Sequence, residues 1–229
     1  MMHCLSKAAA AAFLLVVPAM LTPGSIVLAQ SNPERARALL DAAERGEIVT
    51  VRELVAKGAR INWRDHRGRT PLLAATQRNR TDVAKFLIQE GADVNAKDLI
   101  QDTPFLYAGA EGRTEILTMM LPVGADLKDT NRFGGTALIP AAHRGHVETV
   151  RLLLTTRIDK DHVNNLGWTA LMEAVVLGDG GPAHTEIVRL LVNAGANANI
   201  PDRDRVTALE HAKKRGYAEM AGILSAAAR

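Results

Sequence analysis

Apolar and polar positions alternate in blocks along this chain, and the blocks repeat. Between Asn131 and Asp161 the pattern is clearest. Turn residues come first, Asn131 and then Gly134-Gly135, followed by Thr136, whose hydroxyl is placed to cap a helix. A short apolar run, Ala137 to Ala142, stops at Gly145. A second set, Val147, Val150, Leu152, Leu153 and Leu154, recurs at helical spacing and ends near Thr155-Thr156. The pattern predicts a short helix, a tight turn, a longer helix and an extended return. Neither helix has enough apolar face to be stable alone in water, so each unit must stack on a copy of itself.

Copies are present. Thr70-Pro71-Leu72, Thr103-Pro104-Phe105, Thr136-Ala137-Leu138, Thr169-Ala170-Leu171 and Thr207-Ala208-Leu209 mark one place in five units, at intervals of 33, 33, 33 and 38 residues. Leu87, Leu153 and Leu191 occupy equivalent places on second helices and are expected to be buried between neighbours. With the strings TPLLAA (70–75), HRGHVETVRLLL (143–154), EGADVNAKD (90–98), VGADLKD (123–129) and NAGANAN (193–199), the chain resembles the ankyrin repeat family over almost everything after residue 32. The resemblance implies an all-α solenoid of stacked helix–turn–helix units with short β-hairpin fingers. The repeat domain is expected over 30–229: an N-terminal cap at about 32–64, repeats at 65–97, 98–130, 131–163 and 164–201, and a C-terminal cap at 202–229.

Several positions depart from the pattern. Gln101 and Arg205 stand where turn glycines are expected. A residue with a side chain is strained there, and a distorted hairpin is expected at Gln101. Pro122 sits at the end of a second helix, and Arg157 replaces a helix-ending glycine. Asp179 to Ala183 is an insertion between the two helices of the fifth unit.

Residues 1–29 read as a cleavable signal peptide. Lys7 precedes an apolar run from Ala8 to Val17, Pro18, Pro23 and Gly24 break it, and Val27-Leu28-Ala29 places the cut between Ala29 and Gln30. The run is short for a membrane span, so a retained anchor is the lesser alternative, and no cysteine at the cut supports a lipoprotein. A periplasmic location is expected, with secretion as the alternative. The single cysteine, Cys4, lies in that leader, so the mature chain would hold no thiol.

Composition narrows the function. Apolar residues make up 47% of the chain but aromatics only 3%, which suits thin Ala/Leu-packed layers. A net charge of +3 without a basic stripe argues against nucleic acid as a partner. No nucleophile elbow or phosphate-cradling loop is present, so no catalytic residue, cofactor or metal ligand set is assigned. His143 and His146 lack the further ligands a metal needs, and His146 sits where family members hold a turn histidine that bonds backbone.

What remains is surface. In the ankyrin family, partners bind the finger tips and the exposed face of the first helices. Transferred to this chain, that surface comprises Arg67, Leu99, Ile100, Arg132, Phe133, His143, Leu166, Trp168 and Leu177. Leu99, Ile100, Phe133, Leu166 and Trp168 are apolar where repeats usually face water, the mark of an interaction site. Phe133 and Trp168 are expected to stand side by side outside the helical core. The reading is a non-catalytic, monomeric protein-binding module. The chain also resembles small exported bacterial ankyrin proteins, which implies a periplasmic enzyme such as a catalase as the partner. Two alternatives differ in class: a ligand-binding protein or enzyme using Asp179 and His184 beside the insertion, and a secreted effector acting on a host protein.

Overall fold

The computed structural model describes residues 33–227. The leader and the Ala29–Gln30 cut lie outside them. Among the described residues twelve α-helices form six pairs. Their ranges are α1 Pro33–Arg45, α2 Ile48–Ala56, α3 Pro71–Gln77, α4 Thr81–Gln89, α5 Pro104–Ala110, α6 Thr114–Met120, α7 Leu138–His143, α8 Val147–Leu154, α9 Ala170–Val176, α10 Pro182–Asn193, α11 Ala208–Lys214 and α12 Ala218–Ala227. First helices pack in one row, α1 on α3 through to α9 on α11, and second helices in another, α2 on α4 through to α10 on α12. The core between the rows is aliphatic, and Leu87, Leu153 and Leu191 are fully buried in it. Among the described residues no helix is long and apolar enough to cross a membrane.

Each finger is built from one side chain. Asp65 Oδ1 accepts from the backbone N–H groups of Arg67 (2.8 Å) and Arg69 (2.9 Å). Asp98, Asn131, Asn164 and Asp202 do the same in their own units. The loop closes through Asp65 N–H to the Arg69 carbonyl and Gly68 N–H to the Asp65 carbonyl. The fingers are short hairpin turns, and no strand is assigned among the described residues. The turn requires a positive φ at its fourth residue. Gln101 (64°) and Arg205 (63°) adopt it as Gly68 does. The hairpin at Gln101 is therefore not distorted. Two carboxylate-anchored N–H bonds hold it against the left-handed strain of a side chain.

Helix caps follow the threonines with one exception. Thr70, Thr103, Thr169 and Thr207 each accept from the N–H three residues on. Thr136 does not: its hydroxyl is buried with no partner, which corrects the cap expected there. Pro140 is the cause. Elsewhere the N–H four residues after the threonine bonds the threonine carbonyl, as Ala74 bonds Thr70. A proline has no N–H, so Ile139 N–H turns to the Thr136 carbonyl instead (3.2 Å). The donor that would have met the hydroxyl is thereby used up, and α7 begins one residue later.

The other departures are absorbed locally. Leu121–Val123 forms a 3-10 turn at Pro122. At Arg157, the Thr155 and Thr156 hydroxyls donate to the Leu152 and Leu153 carbonyls (2.7 and 2.6 Å) and finish α8 without a glycine. The Asp179–Ala183 insertion is tied down: Asp179 Oδ1 pairs with His184 Nδ1 and the Tyr217 hydroxyl donates to the Gly178 carbonyl.

Candidate functional site

Successive fingers are linked by a backbone bond where Leu99 N–H meets the Arg67 carbonyl and where Asn165 N–H meets the Phe133 carbonyl, both 2.9 Å. No such bond joins the finger of the third unit, anchored by Asp98, to that of the fourth, anchored by Asn131, among the described residues. A cavity of about 480 Å³ opens there, between the third, fourth and fifth units. It brings together six of the residues singled out from the sequence: Ile100, Arg132, Phe133, His143, Leu166 and Leu177. The four apolar residues among these six are exposed, Phe133 most of all at 53%.

Three residues fall elsewhere. Arg67 and Leu99 lie outside the cavity, although Leu99 is 75% exposed. Trp168 is half-buried and packs against the helical core, so it does not stand free beside Phe133. It occupies the position directly before the capping Thr169, where the chain turns inward. Nor does the cavity lie at the insertion. A second depression there is bounded by Glu186, Arg189 and Glu219, whose carboxylates are already paired with Arg189 and Arg151.

The polar floor was not anticipated. Glu173, on α9, lines the cavity yet is 6% exposed. Asn164 Nδ2 donates to its Oε1 at 2.7 Å. Among the described residues no donor bonds its Oε2; His143 Nδ1 stands 3.6 Å away, too long for a hydrogen bond. Burial pushes the Glu173 carboxyl up to about 7, against the single opposing hydrogen bond from Asn164. Burial, then the neighbouring charges of Arg144 and His184, holds His143 below its usual value. Asp102, also lining the cavity, is raised by burial and by the nearby Asp98. Arg144 bonds Glu111 and the Ala110 carbonyl, and Arg132 lies over the Phe133 ring, 4.6 Å from its centre. One signal in the sequence pointed to this floor. Asn164 and Glu173 are nine residues apart, as are Asp202 and His211 in the next unit, which also bond each other (2.7 Å).

Chemically, Glu173 can hold or release a proton near neutrality. The lining includes no serine, threonine or cysteine, and burial pushes the Tyr107 phenol above its usual range, away from a nucleophilic phenolate. Among the described residues no cluster of His, Cys, Asp and Glu could hold a metal ion. His146, in the turn before α8, is lowered chiefly by burial, and its Nε2 is buried without a partner.

A family model for ankyrin repeats in three copies matches residues 5–98 and 105–202. The chain belongs to the ankyrin repeat family. An ankyrin repeat domain from Acinetobacter baumannii AYE is 53% identical, with a TM-score of 0.80 over 82% of this chain and 96% of that one. EF0377, another ankyrin repeat protein, is 44% identical with the same score and coverage. The ankyrin repeat domain of Bcl-3 is 28% identical, with a TM-score of 0.74 over 83% of this chain and 85% of that domain. The ankyrin repeat protein YahD of Escherichia coli (strain K12) is 46% identical over 55 residues, 24% of this chain. That match spans about a quarter of YahD, 27% of its length. Ankyrin repeats are protein-interaction modules, and nothing in these relatives points to catalysis.

Proposed function

We propose that the chain is a non-catalytic binding module, exported to a periplasm, that holds one protein partner through the fingers and first helices of its third to fifth units. One observation carries the reading. Ile100, Phe133, Leu166 and Leu177, four exposed apolar side chains from three successive units, line a single cavity. Apolar surface of this kind on a polar rim is what a partner's side chains cover. Partner capture from the cell envelope tests it, with a periplasmic catalase as the first protein to try, on the family resemblance. The variant Phe133→Ala with Leu166→Ala should weaken capture by roughly thirtyfold or more, since interface anchors commonly contribute about 2 kcal/mol or more. Its helical circular dichroism should be unchanged, because both side chains lie outside the buried core. Undiminished capture by the folded variant would remove the cavity from the reading. Export is checked separately by intact mass: a mature chain beginning at Gln30 has lost Cys4.

A further inference from the structure

We propose that the cavity receives a basic side chain, lysine or arginine, carried on an extended segment of the partner, with Glu173 and Asp102 as its anionic floor and Phe133, Leu166 and Ile100 around its aliphatic stem. This deepens the protein-binding reading and rests on it.

The argument begins with an incomplete pair. Glu173 is more than nine-tenths buried, and its Oε2 faces the cavity without a donor in hydrogen-bonding range. A carboxylate held by one neutral amide in such a place is costly, and the free protein avoids that cost by keeping the proton near neutrality. Among the described residues no cation within hydrogen-bond range replaces the proton. Arg144 is engaged by Glu111, Arg132 rests on the Phe133 ring, and burial works against a charge on His143. In the sixth unit the same two positions hold Asp202 and His211, which satisfy each other directly. In the fifth unit Asn164 offers Glu173 a neutral donor in place of a charged one, and Glu173 lines the open cavity.

The walls fit the rest of a basic side chain. Lysine and arginine carry an apolar stem that packs on hydrophobic surface while the charged end finds its own partner. Tyr107 lines the cavity with an aromatic ring, a surface that attracts a cation, while Phe133, already under Arg132, serves as apolar wall. An acidic or phosphorylated segment would meet Glu173 and Asp102 with the two arginines already engaged. A purely apolar side chain would leave Glu173 buried and half-bonded.

A random-peptide library displayed on phage and panned at pH 7 against the full chain, Glu173→Gln and Phe133→Ala gives the test. Peptides retained by the wild type should be enriched in Lys or Arg beside an apolar residue, and Glu173→Gln should lose that enrichment. A synthetic selected peptide should bind the wild type at least tenfold more weakly when its basic residue is changed to Gln. The same change should matter little to Glu173→Gln. Calorimetry in two buffers of different ionisation enthalpy should show proton release on binding. Should Glu173→Gln fail to fold by circular dichroism, Asp102→Asn carries the comparison, with a smaller loss of the same preference. Selected peptides that need Phe133 but show no basic preference, or keep it in the folded Glu173→Gln, would overturn this inference while leaving the protein-binding reading intact. No enrichment on the wild type would overturn both.

Discussion

In the second unit, the polar groups facing the groove are paired before any partner arrives. The Arg69 guanidinium lies between Asp65 (2.9 Å) and Glu44 (3.4 Å) and also reaches Gln77, while Arg78 takes the other Glu44 oxygen. Burial works against the Glu44 and Asp65 carboxylates, yet the arginines and backbone N–H groups together hold both below their usual values. In the fifth unit, Trp168 stands in Arg69's place and Glu173 has one neutral donor, so burial wins and the carboxyl rises to about 7. The first helices beneath, α3 and α9, are both seven residues long. The stack therefore fixes where a groove side chain sits, while the groove residues alone decide whether its charge is met. A repeat can give up internal pairing there without giving up its fold.

The largest effect should be blind to this difference. Leu87 on α4, under the paired surface, and Leu191 on α10, under the unpaired one, are both fully buried. Each Leu→Ala change should cost about 2–5 kcal/mol in urea denaturation, from lost burial and the cavity left behind. A loss at Leu191 well below that at Leu87 would mean that the fifth unit is loosely packed throughout and that the contrast is not confined to the groove.

The pH dependence should separate the regions. Glu173 has a folded value near 7 against 4.5 for the ordinary carboxyl. Its contribution is fully present below about pH 4.5 and lost as pH rises through 7, a change on the order of 3 kcal/mol. Glu44 and Asp65, with depressed values, tilt the opposite way: their contribution is present above their unfolded values and lost in acid. His143 and His146, lowered first by burial, also lose stability as pH falls. The wild type minus Glu173→Gln isolates the glutamate, since glutamine keeps an oxygen for Asn164. That difference should favour the wild type increasingly below pH 7. A flat difference from pH 4.5 to 8 would show Glu173 to be solvated.

These contrasts were unequally legible in the sequence. The helices, the register and the buried leucines follow from a period of 33 and from apolar spacing, which record contacts a unit makes with its own copies. Phe133, Leu166 and Ile100 could be placed at finger tips because turn chemistry sets the tip. Glu173 could not be found in that way. A glutamate in ALMEAV reads as solvated, and its burial comes from Asn164 in its own finger and His143 of the previous unit. Trp168 misled for the reverse reason: a large apolar residue beside a turn reads as exposed until the following helix is seen to draw it inward.

The smallest effect tests whether one residue explains a local break in the repeat. Thr103 caps α5, its hydroxyl accepting from Leu106 N–H at 3.0 Å. The Thr136 hydroxyl is buried and unmet. Replacement by valine keeps the shape of each side chain and removes only the hydroxyl. Thr103→Val should cost about 1 kcal/mol, the usual worth of such a cap. Thr136→Val should cost nothing measurable, or stabilise slightly, because a buried hydroxyl without a partner is itself unfavourable. If Pro140 is the cause, Pro140→Ala restores the N–H that bonds the Thr136 carbonyl and frees Ile139 N–H for the hydroxyl. In that background Thr136→Val should cost about 1 kcal/mol, and the double-mutant cycle should show coupling of that size. Equal losses at Thr103 and Thr136 in the parent chain would mean that Thr136 caps after all. Absence of coupling would mean that the late start of α7 has a source other than the missing N–H.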